Sequence, residues 1–455
     1  MKKARIVCSL VGAGAIVVLS LYLLLNSHSN GTINTTKQLI KLSLLRIIDL
    51  PVNPHDAYPS IPALDSNESA LVQLHWTILG GTNEDNSYHF FSAYYDGRTS
   101  KNLQRPAVIV MGYVNRKVPS IKFYCLFRYN NRSTCKEKPA NERHVSPCFP
   151  PNLSSRPYHY VCEVLVGEEV PLAVHLSMSE DCKPDSISAP IPVQNRDAKI
   201  EEKPAKKFGV CLGGPLVQEN ANFLRDVVEY VEMSIAVGVQ QIVFYVNEKQ
   251  VDKSLLEYLW KHYPDVVKTI AWRKFDKWVP MHYYGQLLMM SDCFYRHMYE
   301  VEYLAMTDLD EMITPVGKHT SWGEMIKALN SNSDVSSYTF QNAFFTSPEN
   351  EAKQVLPNCS NAQVPKYFTR TVRHDCYPGY AYRPKTMSLA RYIYEPNIHW
   401  VCARVDGHPG NTNVPTEIGI LAHYRPSVPD DCVGKPTFTD NVARKFRNKV
   451  TDSMC

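Results

Sequence analysis

From Lys207 onward the sequence alternates short apolar runs of strand character with longer amphipathic segments, and few architectures accommodate that alternation. KFGVCLG (207–213), QQIVFYVN (240–247), VVKTIAW (266–272) and VEYLAMTD (301–308) read as strands. Between them, ENANFLRDVVEYVEMSIAVG (219–238), DKSLLEYLWKHYP (252–264) and HYYGQLLMMSDCFYRHMY (282–299) read as helices. In the first helix Leu224, Val228, Val231 and Ile235 share a stripe, and Gly238 stands just past its end. This spacing predicts a parallel sheet covered by helices on both faces. In such open α/β sheets, ligands sit beyond the carboxyl ends of the strands.

One of those ends carries an unusual charge. The strand at 301–308 runs into Asp308, Asp310 and Glu311, three carboxylates within four positions. Like charges this close repel, and burying them without a partner is expensive. On an extended segment Asp308 and Asp310 project to one side, and Leu309 points the other way into apolar packing. Two oxygen ligands on one side suit a hard divalent ion, Mn²⁺ or Mg²⁺. The competing reading is a solvated strand end, since D-x-D alone is common. An EF-hand loop is excluded by its missing glycine and later ligands.

The N-terminus speaks to compartment. Lys2, Lys3 and Arg5 precede the uncharged stretch 6–25. Twenty helical residues span about 30 Å, the hydrocarbon thickness of a bilayer. The flanking charges favour a cytosolic N-terminus, so residues 1–5 read as a cytoplasmic tail and 6–25 as a type II signal anchor. A cleaved signal peptide is the alternative, but the run is long and NSHSNGT is a poor cleavage site. N-x-[ST] acceptors stand at Asn30, Asn34, Asn67, Asn131, Asn152 and Asn358, all beyond that stretch. Of 13 cysteines only Cys8 falls inside it, and in an oxidising lumen most of the rest should pair. A net charge of +4 over 455 residues, with scattered Lys and Arg, argues against a nucleic-acid partner. The basic cluster Arg444, Lys445, Arg447 and Lys449 reads as a solvated helix face.

Composition divides the rest of the chain. Residues 26–65 are polar, then proline-punctuated, and read as a stem. Residues 66–182 show short β-type runs with cysteines at 125, 135, 148, 162 and 182, which implies a β-rich, disulfide-stapled lobe. Residues 183–206 read as a linker, 207–430 as the α/β body, and 431–455 as a C-terminal extension.

Several segments together resemble glycosyltransferase family 92: FSAYYDGR (91–98), GVQQIVFYVNEKQVD (238–252), GQLLMMSDCFYRH (285–297), LAMTDLDEMITP (304–315), FQNAFF (340–345) and LAHYRP (421–426). The resemblance implies a GT-A type nucleotide-sugar-binding fold in a type II Golgi membrane protein. It also implies an inverting, metal-dependent transfer from UDP-galactose, in nematode relatives β-1,4 onto the core fucose of N-glycans. On that basis Asp308 and Asp310 hold the metal and the donor diphosphate, with His423 or His399 as a third ligand. Glu311 orients the metal shell or makes a structural hydrogen bond. A general base for the acceptor hydroxyl would be Asp375 or Asp406. Gln286 and Asp292 serve the donor pocket or form a polar helix face, while Arg383, Lys385 and Arg391 contact phosphate or solvate a strand. Tyrosine is abundant (27 residues), but core packing accounts for most such rings as readily as sugar stacking does. Two other classes fit the residues: a membrane-tethered lumenal Ca²⁺-dependent lectin or adhesion protein, and an inactive transferase-like scaffold. The β/α alternation favours the enzyme over the lectin, and the intact Asp308 and Asp310 count against the scaffold.

Overall fold

The computed structural model describes residues 49–50, 71–72, 74, 76–80, 87–98, 105–115, 121–145, 155–183, 187–199, 202–218, 222–247, 249–272, 285–329, 335–347, 364–405 and 410–454. The chain divides into two compact units, Met1–Leu50 and Pro51–Cys455. The expected tail, membrane span and most of the stem lie outside the described residues. So do Asn30, Asn34, Asn67, Asn152 and Asn358, whereas Asn131 sits exposed at a turn. Among the described residues no helix is long and apolar enough to cross a membrane.

The second unit is mixed α/β. Its N-terminal part is an extended antiparallel sheet that includes Ser87–Asp96, Ala107–Asn115, Ser155–Glu163, Tyr124–Arg128 and Ala173–Ser177. Disulfides Cys125–Cys162 and Cys135–Cys182 staple it. The expected linker is a correction: Ile191–Gln194 within it is a strand, three of its four residues buried, paired parallel with Ser87–Asp96. Its apolar Ile191 and Val193 outweigh the surrounding prolines, which the composition had emphasised.

From Lys206 the expected alternation is present. The elements are β1 (Lys206–Leu212), α1 (Phe223–Ala236), β2 (Gln241–Val246), α2 (Lys253–His262), β3 (Val267–Ala271), α3 (Gln286–His297) and β4 (Val301–Thr307). The sheet order is Leu71–Val72, β3, β2, β1, β4, with every pairing parallel. Beyond β4 the sheet turns antiparallel, adding Lys385–Leu389 and then Ser337–Phe340. Asp252 caps α2 by accepting from the Ser254 backbone N–H, and Cys211–Cys293 ties β1 to α3.

A second sheet starts immediately after β4. Its order is β5 (Glu311–Pro315), Gly419–Tyr424, Asn342–Thr346, Val372–His374 and Thr437–Thr439. Two sequence readings need correction here. The apolar stripe of α1 is wider than expected: Val228 and Val231 are buried and Ile235 packs on the core as read, Phe223, Val227 and Tyr230 are buried with them, and Leu224 is exposed. The segment 431–455 is not an appendage either. Its Thr437–Thr439 strand pairs with Val372–His374, Phe446 and Val450 enter the main core, and Cys432 is disulfide-bonded to Cys376. The helix Arg447–Met454 packs against α1, which is why α1 is buried on more than one face. Arg444, Lys445 and Lys449 remain exposed, as a solvated face requires.

Candidate functional site

The carboxylates mark the point where the chain leaves one sheet for the other. β4 ends at Thr307, whose hydroxyl shares a 2.6 Å hydrogen bond with Tyr230 Oη. Residues 308–310 form a turn, so the period-two argument for Asp308 and Asp310 does not apply. Glu311 closes that turn: its backbone N–H donates to the Asp308 carbonyl at 3.0 Å, and its side chain accepts from the Asp308 N–H at 2.9 Å. Glu311 therefore makes the structural hydrogen bond that was one of its two expected roles. Leu309 packs against the core, as its apolar character requires.

Two cationic partners compensate the three acids. Lys385 Nζ lies 2.8 Å from Asp308 Oδ2 and 3.2 Å from Glu311 Oε2, and its side chain is only 1% exposed. His423, opposite Glu311 in the β register, places Nε2 3.2 Å from Asp310 Oδ2 and Nδ1 3.6 Å from Glu311 Oε1. Burial works against the Lys385 ammonium, but Asp308 and Glu311 beside it outweigh burial and raise its pKa. Burial likewise opposes the His423 charge, and its hydrogen bond to Asp310 with the Glu311 charge raises its pKa. Burial would raise Asp310, but the His423 hydrogen bond holds it below the usual carboxylate range. Glu311 is pushed up by burial and by the neighbouring acids, against the pull of Lys385.

The acids differ in access. Asp308 and Asp310 side chains are 41% and 46% exposed, whereas Glu311 is 4% exposed. Glu311 and Lys385 thus form a floor, and two carboxylates open above it. Gly213, just after β1, completes the wall: its N–H donates to the Thr307 carbonyl, and a Cβ there would overlap Asp308 Oδ1. Gln286 Nε2 donates to the Gly213 carbonyl, which places this residue one peptide from the cluster. On the far side Lys366 Nζ is 3.5 Å from both the Leu309 carbonyl and Asp226 Oδ1.

The other sequence candidates are dispersed. His399 donates Nδ1–H to the Pro384 carbonyl at 3.1 Å, beside Lys385; burial, then the Lys385 charge, lowers it to about 4. Asp292 is a correction. It is fully buried, accepting from Tyr94 at 2.6 Å, from Tyr245 at 2.5 Å and from Arg296 Nε at 3.0 Å, with no oxygen left for a donor substrate. Asp375 is exposed and follows a strand three places from β5 in the sheet, roughly 14 Å away at the usual strand spacing. That distance removes it from the cluster. Asp406 lies outside the described residues. Arg391 donates to the Glu202 carbonyl at the surface. Sequence reasoning did not single out Asn342, Lys366 or Gly213 for the site. The G-G-P run after β1 and the asparagine in FQNAFF were the only signals available.

A cation-binding role can be tested on the donor set. Asp308, Asp310 and the His423 imidazole offer the oxygen and nitrogen donors that suit Mn²⁺ or Mg²⁺. Among the described residues, however, no three His, Cys, Asp or Glu side chains are already gathered as a preformed metal site. The chemistry of the donors fits, and Lys385 and His423 hold the carboxylates meanwhile.

A parallel sheet whose exit strand ends in half-exposed carboxylates is an arrangement suited to a cation, or to a ligand that binds through one. The family-model comparison makes this more specific. Residues 206–454 match the model of glycosyltransferase family 92, more than half of the chain, and the protein belongs to that family. The Beta-1,4-galactosyltransferase galt-1 of Caenorhabditis elegans is 27% identical over 195 residues, 41% of this chain and 44% of that protein. The chain thus spans less than half the length of that relative. Solved structures give weak similarities that carry no argument. The 4-diphosphocytidyl-2C-methyl-D-erythritolsynthase of Anaerococcus prevotii has a TM-score of 0.24 at 10% identity, covering 47% of this chain and 91% of that one. HddC of Yersinia pseudotuberculosis has a TM-score of 0.24 at 11% identity, covering 54% and 99%.

Proposed function

We propose that this protein is a GT-A type galactosyltransferase of the Golgi lumen, anchored as a single-pass type II membrane protein. It moves galactose from UDP-galactose to a glycan with inversion, giving a β-1,4 linkage onto the core fucose of N-glycans. Family membership, the name of the nematode relative and the opening of Asp308 and Asp310 above a Lys385–Glu311 floor support this reading. The last is the observation that carries it: three acids share two cationic side chains, so the open face retains negative charge.

Asp308, Asp310 and His423 would hold Mn²⁺ or Mg²⁺. When bound, the ion supplies Lewis-acid neutralisation of a departing diphosphate. The chain's own part is positional. Gly213 leaves room for the Asp308 carboxylate, Gln286 fixes the Gly213 peptide, and Glu311 locks the turn that presents both aspartates. Lys385 beneath the acids, and Lys366 beside the Leu309 carbonyl, offset part of the carboxylate charge.

The purified full-length chain should release UDP from UDP-galactose when given Mn²⁺ and fucosylated N-glycan acceptors. Asp308→Ala and Asp310→Ala should each lower kcat/KM by on the order of 10²-fold or more, with folding retained. Equal release from several UDP-sugars would remove the galactose assignment. Ca²⁺-dependent glycan binding without turnover from any donor would replace the enzyme by a lectin.

A further inference from the structure

FQNAFF contains Asn342, a buried asparagine at the start of the central strand of the second sheet. Its Nδ2 donates to two backbone carbonyls, Tyr382 at 3.1 Å and Arg383 at 2.7 Å. Those bonds decide which way the amide faces, so its oxygen is the atom left for His423, with Oδ1 3.2 Å from Nδ1. Flipping the amide would set an oxygen against two carbonyl oxygens in the interior, which is strongly unfavourable. The imidazole must therefore donate from Nδ1.

The two sides of the ring differ in what they face. Nδ1 faces buried acceptors, Asn342 Oδ1 and at 3.6 Å the Glu311 carboxylate. Nε2 faces Asp310, which is 46% exposed and can exchange the imidazole for water. Removing the Nδ1 proton would leave a bare ring nitrogen pointing at buried oxygens, while removing the Nε2 proton leaves an open lone pair beside a hydrated carboxylate. The two carbonyls that Asn342 holds also flank Arg383, a non-glycine residue in the left-handed region at φ 44°. That turn leads through Pro384 to Lys385, the buried cation under Asp308. One amide thus touches the supports of both cationic partners.

We propose that Asn342 is the positioning residue of this site. It keeps the His423 proton on Nδ1, turns Nε2 toward the Asp308–Asp310 opening, and steadies the left-handed turn that delivers Lys385. This deepens the reading above, because Nε2 is the nitrogen offered to a divalent ion, but the proton position is read without one.

The test is a long-range ¹H–¹⁵N spectrum of the full-length chain labelled with ¹⁵N-histidine, followed to rising pH until the His423 signals stop moving and the ring is neutral. The His423 signal is identified by its loss in His423→Gln. Wild type should show Nδ1–H with Nε2 bare, and a spectrum showing Nε2–H with Nδ1 bare overturns the proposal. Asn342→Leu keeps the branching of the side chain and removes its hydrogen bonds. It should shift the proton toward Nε2 and weaken Mn²⁺ affinity, read by paramagnetic resonance, by roughly 10–100-fold. Unchanged proton position and affinity in that variant would also overturn it. Should Asn342→Leu lose its unfolding transition, the wild-type spectrum alone decides. Absent turnover together with Nδ1–H would count against the transferase reading and leave the role of Asn342 intact.

Discussion

Among the described residues, Asp292 and the acids around Asp308 differ in how completely their partners satisfy them. Asp292 is fully buried and saturated: two tyrosine hydroxyls and the Arg296 guanidinium fill it, and Arg296 Nη1 donates onward to Gln194 at 2.7 Å. One negative charge meets one positive charge, with water excluded. Around Asp308, by contrast, three carboxylates share one ammonium and one imidazole, and two of them face solvent. The closed cluster joins the segments FSAYYDGR and GQLLMMSDCFYRH through Tyr94 and Asp292. In the first of these, Arg98 pairs with Asp96 at 2.7 Å and donates to the carbonyls of Arg391 and Ile393. These residues assemble the body that holds the site. An open, under-neutralised cluster has charge left for a ligand, and a saturated one does not.

The contrast breaks first at Asp292. Asp292→Ala strands a buried guanidinium and two hydroxyls and should cost about 3–5 kcal/mol in urea unfolding, whereas Asp310→Asn should stay within about 1 kcal/mol. Similar costs for both would abolish the distinction. Lys385→Met removes the floor cation from Asp308 and Glu311 and should destabilise by about 3 kcal/mol. Saturating Mn²⁺ should restore part of the lost Tm, and no recovery would indicate that the cluster does not take a cation.

A third acid sharpens the comparison. Glu229 is buried on α1, accepts from the Lys366 N–H at 2.9 Å, and is raised by burial from 4.5 to about 7. Between those values the folded state binds the proton and the unfolded state does not. Its contribution is full below about pH 4.5 and is lost as pH rises through about 7. Glu229→Gln should therefore flatten this part of the stability–pH profile, by on the order of 2–3 kcal/mol across the window. An unchanged slope would mean that Glu229 ionises normally in the fold. The smallest effect is expected at Gly213. Gly213→Ala pushes against Asp308 Oδ1 and should cost about 1 kcal/mol while lowering turnover about tenfold. Wild-type turnover in that variant would show that the Asp308 position is not critical.

Much of the fold was legible because periodicity is local. The β/α alternation from 207 to 308 predicted the parallel half of the central sheet, each strand with its following helix. The antiparallel continuation was not legible, because Lys385–Leu389 joins β4 from about 80 residues away in sequence, and nothing local encodes such a pairing. For the same reason Ile191–Gln194 passed for linker and 431–455 for an appendage. At the site, Asp308, Asp310 and His423 were readable as chemistry-bearing residue types within apolar surroundings. Asp292 has the same residue type and its own distinctive segment, and only its partners reveal that it is saturated.

The sequence by itself determined where the acids would fall, at the carboxyl end of a central strand, since strand period and crossover rules depend on neighbours along the chain. It also determined the family, through a match that spans residues 206–454. Tertiary structure alone decided that the acids sit on a turn between two sheets, that Lys385 lies beneath them, and that Asn342 faces His423. Those facts depend on residues 77 and 81 positions apart meeting at hydrogen-bond distance, and electrostatic free energy follows separation in space rather than in sequence.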